Sequence, residues 1–206
     1  SRAAGSQTDL VFDNFIGTIG SADSDFDGLP DIWEDQIINF DPNDAIDGYE
    51  DVAGPFNFPS TTDFDNDGRA DADEYANGIE ANQTDPTDPD SDDDGLNDGP
   101  EVVGTDNSGT PHPFGPTNPN DDDSDDDGLK DGPEVAGTDN DNTSHGFGAT
   151  NPNSQFSDID SLPDAWEVQY GLNPNSAAGD DGDVGDPDLD SLDNAGEFTN
   201  GTNPTD

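Results

Sequence analysis

Six times along the chain, at 23–34, 63–74, 90–101, 123–134, 156–167 and 186–197, acidic residues alternate with other types and the run closes on a glutamate. Such a pattern denies the chain an ordinary core. Its 52 Asp and Glu stand against 3 Lys and Arg, a formal charge of −49 on 206 residues, and like charges at that density repel one another in any compact state. Leu, Ile, Val and Phe make up under a fifth of the sequence, which with this charge is the composition of a disordered chain. Ordering a backbone costs roughly 1 to 2 kcal/mol per residue, more than so little apolar surface can offset. With no Cys present, neither disulfides nor thiolate metal sites can supply the missing free energy. Bound hard cations remain.

The runs belong to repeats. Residues 88–120 align without gaps on 121–153, with 25 of 33 positions identical, the mark of a tandem duplication. Each acidic run is followed by a segment expected to form one or two helical turns, and then by an Asn-Pro or Asp-Pro turn. Gly78, Gly104, Gly137, Gly171 and Gly201 stand where a left-handed residue ends a helix, and Pro30 and Pro163 where a first helical position tolerates proline. The turns are Asp41-Pro42, Asp85-Pro86, Asn118-Pro119, Asn151-Pro152, Asn173-Pro174 and Asn203-Pro204. Four regions result: an extended segment at 1–22, with a strand over 8–19; two acidic kernels at 23–87, with an insertion at 41–62; the tandem repeats at 88–153; and two degenerate kernels at 154–206.

The kernel has a chemistry. Calcium takes 6 to 8 oxygens at about 2.3 to 2.6 Å, and the pattern D-x-[DN]-x-[DN]-G-x5-E delivers them from a tight loop. Alternate acidic residues aim carboxylates inward, Gly permits a left-handed turn, a backbone carbonyl follows, and the closing Glu binds through two oxygens. Four kernels satisfy the pattern in full: Asp23, Asp25, Asp27, Asp31 and Glu34; Asp63, Asp65, Asp67, Asp71 and Glu74; Asp90, Asp92, Asp94, Asp98 and Glu101; Asp123, Asp125, Asp127, Asp131 and Glu134. Their carbonyls are expected from Leu29, Arg69, Leu96 and Leu129. In the fifth kernel Phe156 replaces the first Asp and Ser161 the Gly, leaving Asp158, Asp160, Asp164 and Glu167. The sixth keeps Asp186, Asp188, Asp190 and Glu197, with Ser191 for Gly and Asn194 for the ninth-position Asp. The sixth is expected to bind and the fifth to be weak or to need outside help. The cofactor expected is therefore calcium (Ca2+), with about four strong sites and up to two weaker. Leu follows the Gly or Ser in every kernel but the second, which suggests a row of leucines as a thin core.

At these residues the chain resembles the thrombospondin type 3 repeat family in its cysteine-free bacterial form. The resemblance covers most of 23–206 and rests on Asp-x-Asp-x-Asp-Gly-Leu, the following Asp or Asn, the Glu and the Asn-Pro or Asp-Pro turn. It implies calcium-wrapped, loop-rich repeats in extracellular adhesive, stalk-forming or enzyme-appended regions. Dockerin modules are similar over single kernels, but a six-fold array is not their pattern. The expected fold is thus an irregular, loop-rich, calcium-stabilised repeat array with short helices after each acidic loop and little β structure beyond the N-terminal strand.

Other function classes find little footing. Nucleic acid and anionic lipid bind through Lys and Arg, no apolar run approaches the roughly 20 residues of a membrane span, and no Gly-x-Ser-x-Gly pattern occurs. His112 and His145 are equivalent residues of the duplicated blocks, as Trp33 and Trp166 are of two kernels, so packing explains them better than catalysis. Asn82, Asn142 and Asn200 open glycosylation-type triplets, which arise easily in a chain so rich in Asn, Ser and Thr. The start at Ser1 reads as a processed or excised chain. The expected role is that of a secreted, non-enzymatic stalk or fibre subunit at the cell surface or beyond, with an adhesive or dockerin-like module as the alternative. The apolar residues Leu10, Val11, Phe12, Phe15, Ile16 and Ile19 either join a neighbouring copy head to tail or fold back on Phe56 and Phe58.

Overall fold

The computed structural model describes residues 22–24, 29–38, 62–76 and 83–206, and within them the architecture is loops punctuated by short helices. The expected N-terminal strand, the 41–62 insertion except for its last residue, Gly78 and the loop residues Asp25 and Asp27 lie outside the described residues. Six helices follow the six kernels: α1 (Asp31–Ile38), α2 (Asp71–Ala76), α3 (Asp98–Val103), α4 (Asp131–Ala136), α5 (Asp164–Tyr170) and α6 (Asn194–Asn200). Each is too short to be stable on its own. Among the described residues β structure is confined to two isolated bridges, Thr105 with Pro111 and Thr138 with Ser144, and no helix is long and apolar enough to cross a membrane.

Helix starts are set by the loops. In all six repeats the backbone N–H of the ninth kernel residue donates to the carbonyl just before the loop, as in Asp31 to Ala22 (2.8 Å), Asp131 to Asp122 (3.2 Å) and Asn194 to Gly185 (2.8 Å). The helix begins on that residue, which puts the closing Glu in its first turn. Pro163 is the N-cap of α5, one position earlier than the sequence suggests, where its missing N–H is equally harmless. Helix ends follow expectation, with Gly104, Gly137, Gly171 and Gly201 in the left-handed conformation. The Asn-Pro turns that follow are fixed by their own side chains, Asn173 accepting from Asn175 N (3.1 Å) and Asn203 from Thr205 N (3.0 Å).

The chain forms two compact units, residues 1–88 and 89–206. In the first, Leu29, Trp33 and Ile37 form a small apolar cluster with Phe64 and Tyr75 packed against it. In the second, Leu96, Leu129, Leu162 and Leu172 are buried, so the leucine after each loop does turn inward in the third, fourth and fifth repeats. Leu192 is only half-buried. Among the described residues eight apolar side chains are buried against sixteen polar or charged ones. Twelve of the buried side chains among the described residues are carboxylates, an inversion of the usual rule that charged groups stay outside.

Candidate metal centres

The acidic loops are shaped by hydrogen bonds from their own backbone. In the fourth, Asp127 N donates to Asp125 Oδ1 (3.1 Å) and Asp123 Oδ1 (3.2 Å), Gly128 N to Asp123 Oδ2 (2.8 Å), and Leu129 N to Asp127 Oδ1 (2.7 Å). The third loop repeats the set through Asp90, Asp92 and Asp94, and the sixth through Asp186, Asp188 and Asp190. In the second, third, fourth and sixth loops the tight turn uses left-handed residues at two places. Gly68, Gly95 and Gly128 supply one at φ of 95°, 99° and 102°, and Asn66, Asp93 and Asp126 the other near 60°. In the sixth loop Ser191 is held at φ 81° and Leu189 at 65°, a conformation that costs a non-glycine residue about 1 kcal/mol or more.

This folding converges carboxylates. Oxygens of Asp63, Asp65 and Asp67, of Asp90, Asp92 and Asp94, and of Asp123, Asp125 and Asp127 gather within 4.8 Å of one another, as do those of Asp158, Asp160 and Glu167. All six closing glutamates are at most 1 % exposed. Glu74 Oε2, Glu101 Oε2, Glu197 Oε2 and both oxygens of Glu167 accept no hydrogen bond. A buried, unpaired carboxylate is strongly disfavoured unless protonated or matched by a cation. Burial first, and the loop aspartates second, push Glu74 and Glu167 up to about 9 and Glu101 and Glu134 up to about 10. Asp92 and Asp125 rise to about 7 for the same two reasons. A divalent cation at each cluster would reverse those shifts, since it favours the ionised form. The donor set is all oxygen, which suits calcium and excludes soft-metal sites. The two histidines are not in it: His112 lies against the ring of Phe114 (5.8 Å) and His145 against Phe147 (5.5 Å).

No family model, curated protein or solved structure matches the chain. What stands without them is a periodic, acidic loop-and-helix array able to coordinate cations.

Three sets of residues extend the sequence reading. The ninth-position Asp does not simply face its own loop. Both oxygens of Asp31, Asp98, Asp131 and Asp164 accept from the backbone N–H and hydroxyl of the serine at loop position two, Ser24, Ser91, Ser124 and Ser157, at 2.6 to 2.9 Å. In the second loop position two is Phe64, whose backbone N–H donates to Asp71 Oδ1 (2.9 Å). Asp131 also groups with Asp94 and Glu101 of the preceding loop, and there Gly132 N donates to Asp94 Oδ2 (2.6 Å). A Cβ at Gly132 would lie 2.6 Å from Asp94 O, so the third and fourth repeats interlock too closely for a side chain. Ala165 makes the equivalent bond to Asp127 Oδ2 at 3.0 Å.

The second set is the threonine before the Asn-Pro or Asp-Pro turn. Thr84, Thr117 and Thr202 hydroxyls donate to Oε1 of Glu74 (3.1 Å), Glu101 (3.0 Å) and Glu197 (3.4 Å), orienting one oxygen and leaving the other for a cation. Recurrence of Thr ahead of Asn-Pro or Asp-Pro is the signal that could have found it. The third set is Asn107 and Asn140 of the tandem repeats. Each folds back to clamp its loop, Asn140 accepting from Lys130 N (2.9 Å) and donating to Gly128 O (2.8 Å), with Asn107 doing the same at Asn97 and Gly95.

Proposed function

We propose that this chain is a calcium-binding structural protein of the thrombospondin type 3 kind, a rigid stalk segment or fibre subunit that works outside the cell and catalyses nothing. The buried closing glutamates carry the reading, because each is placed where the ionised carboxylate is favourable only beside a bound cation. Calcium fits better than magnesium, which keeps several of its waters and avoids all-protein cages. Coupling of metal to folding follows: a ligand bound only by the folded state stabilises it by about 2.7 kcal/mol at a hundredfold excess over its dissociation constant. Several such sites in series turn a self-repelling chain into a stiff one. Even with six Ca2+ the charge falls only from −49 to about −37, so polyanions stay repelled.

Stiffness is what the role demands. Small-angle scattering should give one fixed maximum dimension across saturating calcium concentrations and a larger, denaturant-like radius in chelator; equal radii in the two would refute a calcium-stiffened rod. Electron microscopy in calcium decides between stalk and fibre, with the apolar segment at 8–19 as the proposed head-to-tail joint. Deletion of residues 1–20 should then leave single particles. The adhesive or dockerin-like reading draws on one observation, the 95, 81 and 82 % exposure of Ile159, Val184 and Leu189, and would be favoured by monomers that stay monomeric at any concentration.

A further inference from the structure

The fifth kernel lacks its first aspartate, yet its loop is not left open. In the intact loops the N–H at position six donates to the first Asp: Gly68 to Asp63, Gly95 to Asp90, Gly128 to Asp123. In the fifth loop that position is Ser161, and its N–H (3.0 Å) and hydroxyl (2.8 Å) both donate to Oδ1 of Asp183. Asp183 lies in the stretch Asp180-Asp-Gly-Asp-Val-Gly185 that precedes the sixth kernel. We propose that Asp183 replaces the missing first ligand, so that the fifth repeat holds a calcium ion in a composite site of Asp158, Asp160, Glu167 and Asp183, with Asp181 beside it. The proposal rests on reading the other loops as calcium sites.

Two independent observations support it. Glu167 is fully buried, accepts no hydrogen bond at either oxygen, and clusters with Asp158 and Asp160. Where the second, third and sixth repeats place a threonine that donates to one oxygen of the closing Glu, this one has Leu172, so no threonine occupies an oxygen of Glu167. The second observation is that the borrowed segment is anchored rather than draped. Asn194 Nδ2 donates to the carbonyls of Asp180 and Gly182, both at 2.9 Å, and Ala195 N donates to Asp183 O (3.0 Å). Asn173 N bonds Asp181 Oδ1 (3.2 Å) from the other side. This also accounts for Asn194 at a position that is Asp elsewhere. Position two of the sixth loop is Pro187, which has no N–H to give a carboxylate, whereas the buried amide donates to the strut that carries Asp183. The sixth repeat thereby builds part of the fifth site.

Native mass spectrometry of the full chain, counting calcium ions across a calcium titration, tests this. Asp183→Asn should hold one ion fewer than the unsubstituted chain at the calcium concentration that fills the remaining sites, with at least a tenfold weaker affinity for the lost one. Asp141→Asn, an exposed position with the same charge change, should keep the full count. Phe156→Asp with Ser161→Gly restores the kernel's own first ligand and its turn, and in the Asp183→Asn chain should return the count to its original value; Phe156 is 37 % exposed, so the change leaves the core alone. An unaltered count and affinity in Asp183→Asn would overturn the composite site while leaving the other loops as calcium sites. Absence of bound calcium in the unsubstituted chain would instead overturn the calcium reading itself.

Discussion

The fourth and fifth repeats arrive at similar carboxylate clusters by different routes. The fourth is self-sufficient: Asp123, Asp125 and Asp127 come from one loop, Gly128 lets it turn, Ser124 clasps Asp131, and Asn140 clamps the outside. The fifth has lost the first Asp and the Gly, neither Ile159 nor Ser161 takes a positive φ, and an aspartate 22 residues further on closes the loop. What survives in both is the closure of the loop by the ninth residue's N–H, the Ser-to-Asp clasp and the buried Glu. The N–H closure and the buried Glu recur in all six repeats, while the second and sixth do without the clasp, so those two features define the unit and the rest can be supplied from elsewhere in the chain.

Acid is the largest perturbation and should erase the difference. With calcium bound, carboxylates are held ionised, so the folded state binds fewer protons than the unfolded one and stability falls as pH drops through the carboxylate range near 4. Without metal the sign reverses. The closing glutamates are raised from 4.5 to about 9 or 10, so the metal-free fold takes up protons and loses stability as pH rises through that window. Midpoints of thermal unfolding in calcium should stay level from pH 9 down to pH 5 and fall below it, whereas any residual structure left in chelator should weaken as pH rises. A midpoint in calcium that held unchanged down to pH 3 would contradict carboxylate coordination.

Removing a closing glutamate comes next. Glu134→Gln should abolish one ion and open the fourth repeat to amide exchange while leaving the sixth protected, since repeat units contact mainly their neighbours; the loss is about 2.7 kcal/mol at a hundredfold excess of calcium. Glu167→Gln should do the same to the fifth. Simultaneous exchange in every repeat would show one cooperative block instead.

Asp131→Asn discriminates more finely, because Asp131 clasps its own loop and also groups with Asp94 and Glu101. Exchange should increase in both the third and fourth repeats, with calcium affinity down roughly tenfold in line with other outer ligand contacts. An effect confined to the fourth would mean that the repeats do not share carboxylates. The smallest change expected is at the serines. Ser191→Gly relieves a left-handed residue and should stabilise the sixth repeat by up to about 1 kcal/mol, whereas Ser161→Gly relieves nothing, removes the hydroxyl's bond to Asp183 and adds the flexibility of glycine, so it should destabilise the fifth. Chemical denaturation in saturating calcium separates the two.

Periodicity made much of this readable in advance. The alternating aspartates, the loop glycines and the helix-ending glycines each impose a local backbone requirement, so Asp123 to Glu134 could be read as a loop and a helical turn from sequence spacing alone. Contacts between segments were not readable that way. Asp183 sits in an acidic stretch indistinguishable by composition from its neighbours, and only folding shows which N–H it meets. Ser124 and Thr117 carried no reading from sequence, because their hydroxyls act across 7 and 16 residues. The ninth-position aspartates looked like ordinary ligands because spacing says nothing of the serine that engages both their oxygens.

Tryptophan signals and circular dichroism during chelation bear most directly on the claim that cations supply the folding free energy. Trp33 is buried in the apolar cluster beside Tyr75, with ring centroids 5.3 Å apart, and Trp166 packs against Tyr170 and Phe198 at 5.1 and 5.6 Å, so the two report on the first and fifth repeats separately. Excess chelator at pH 7 should shift both emissions to that of solvent-exposed tryptophan and collapse the near-ultraviolet spectrum, with recovery on adding calcium back. A chelated chain that kept its native tryptophan environments would contradict the account.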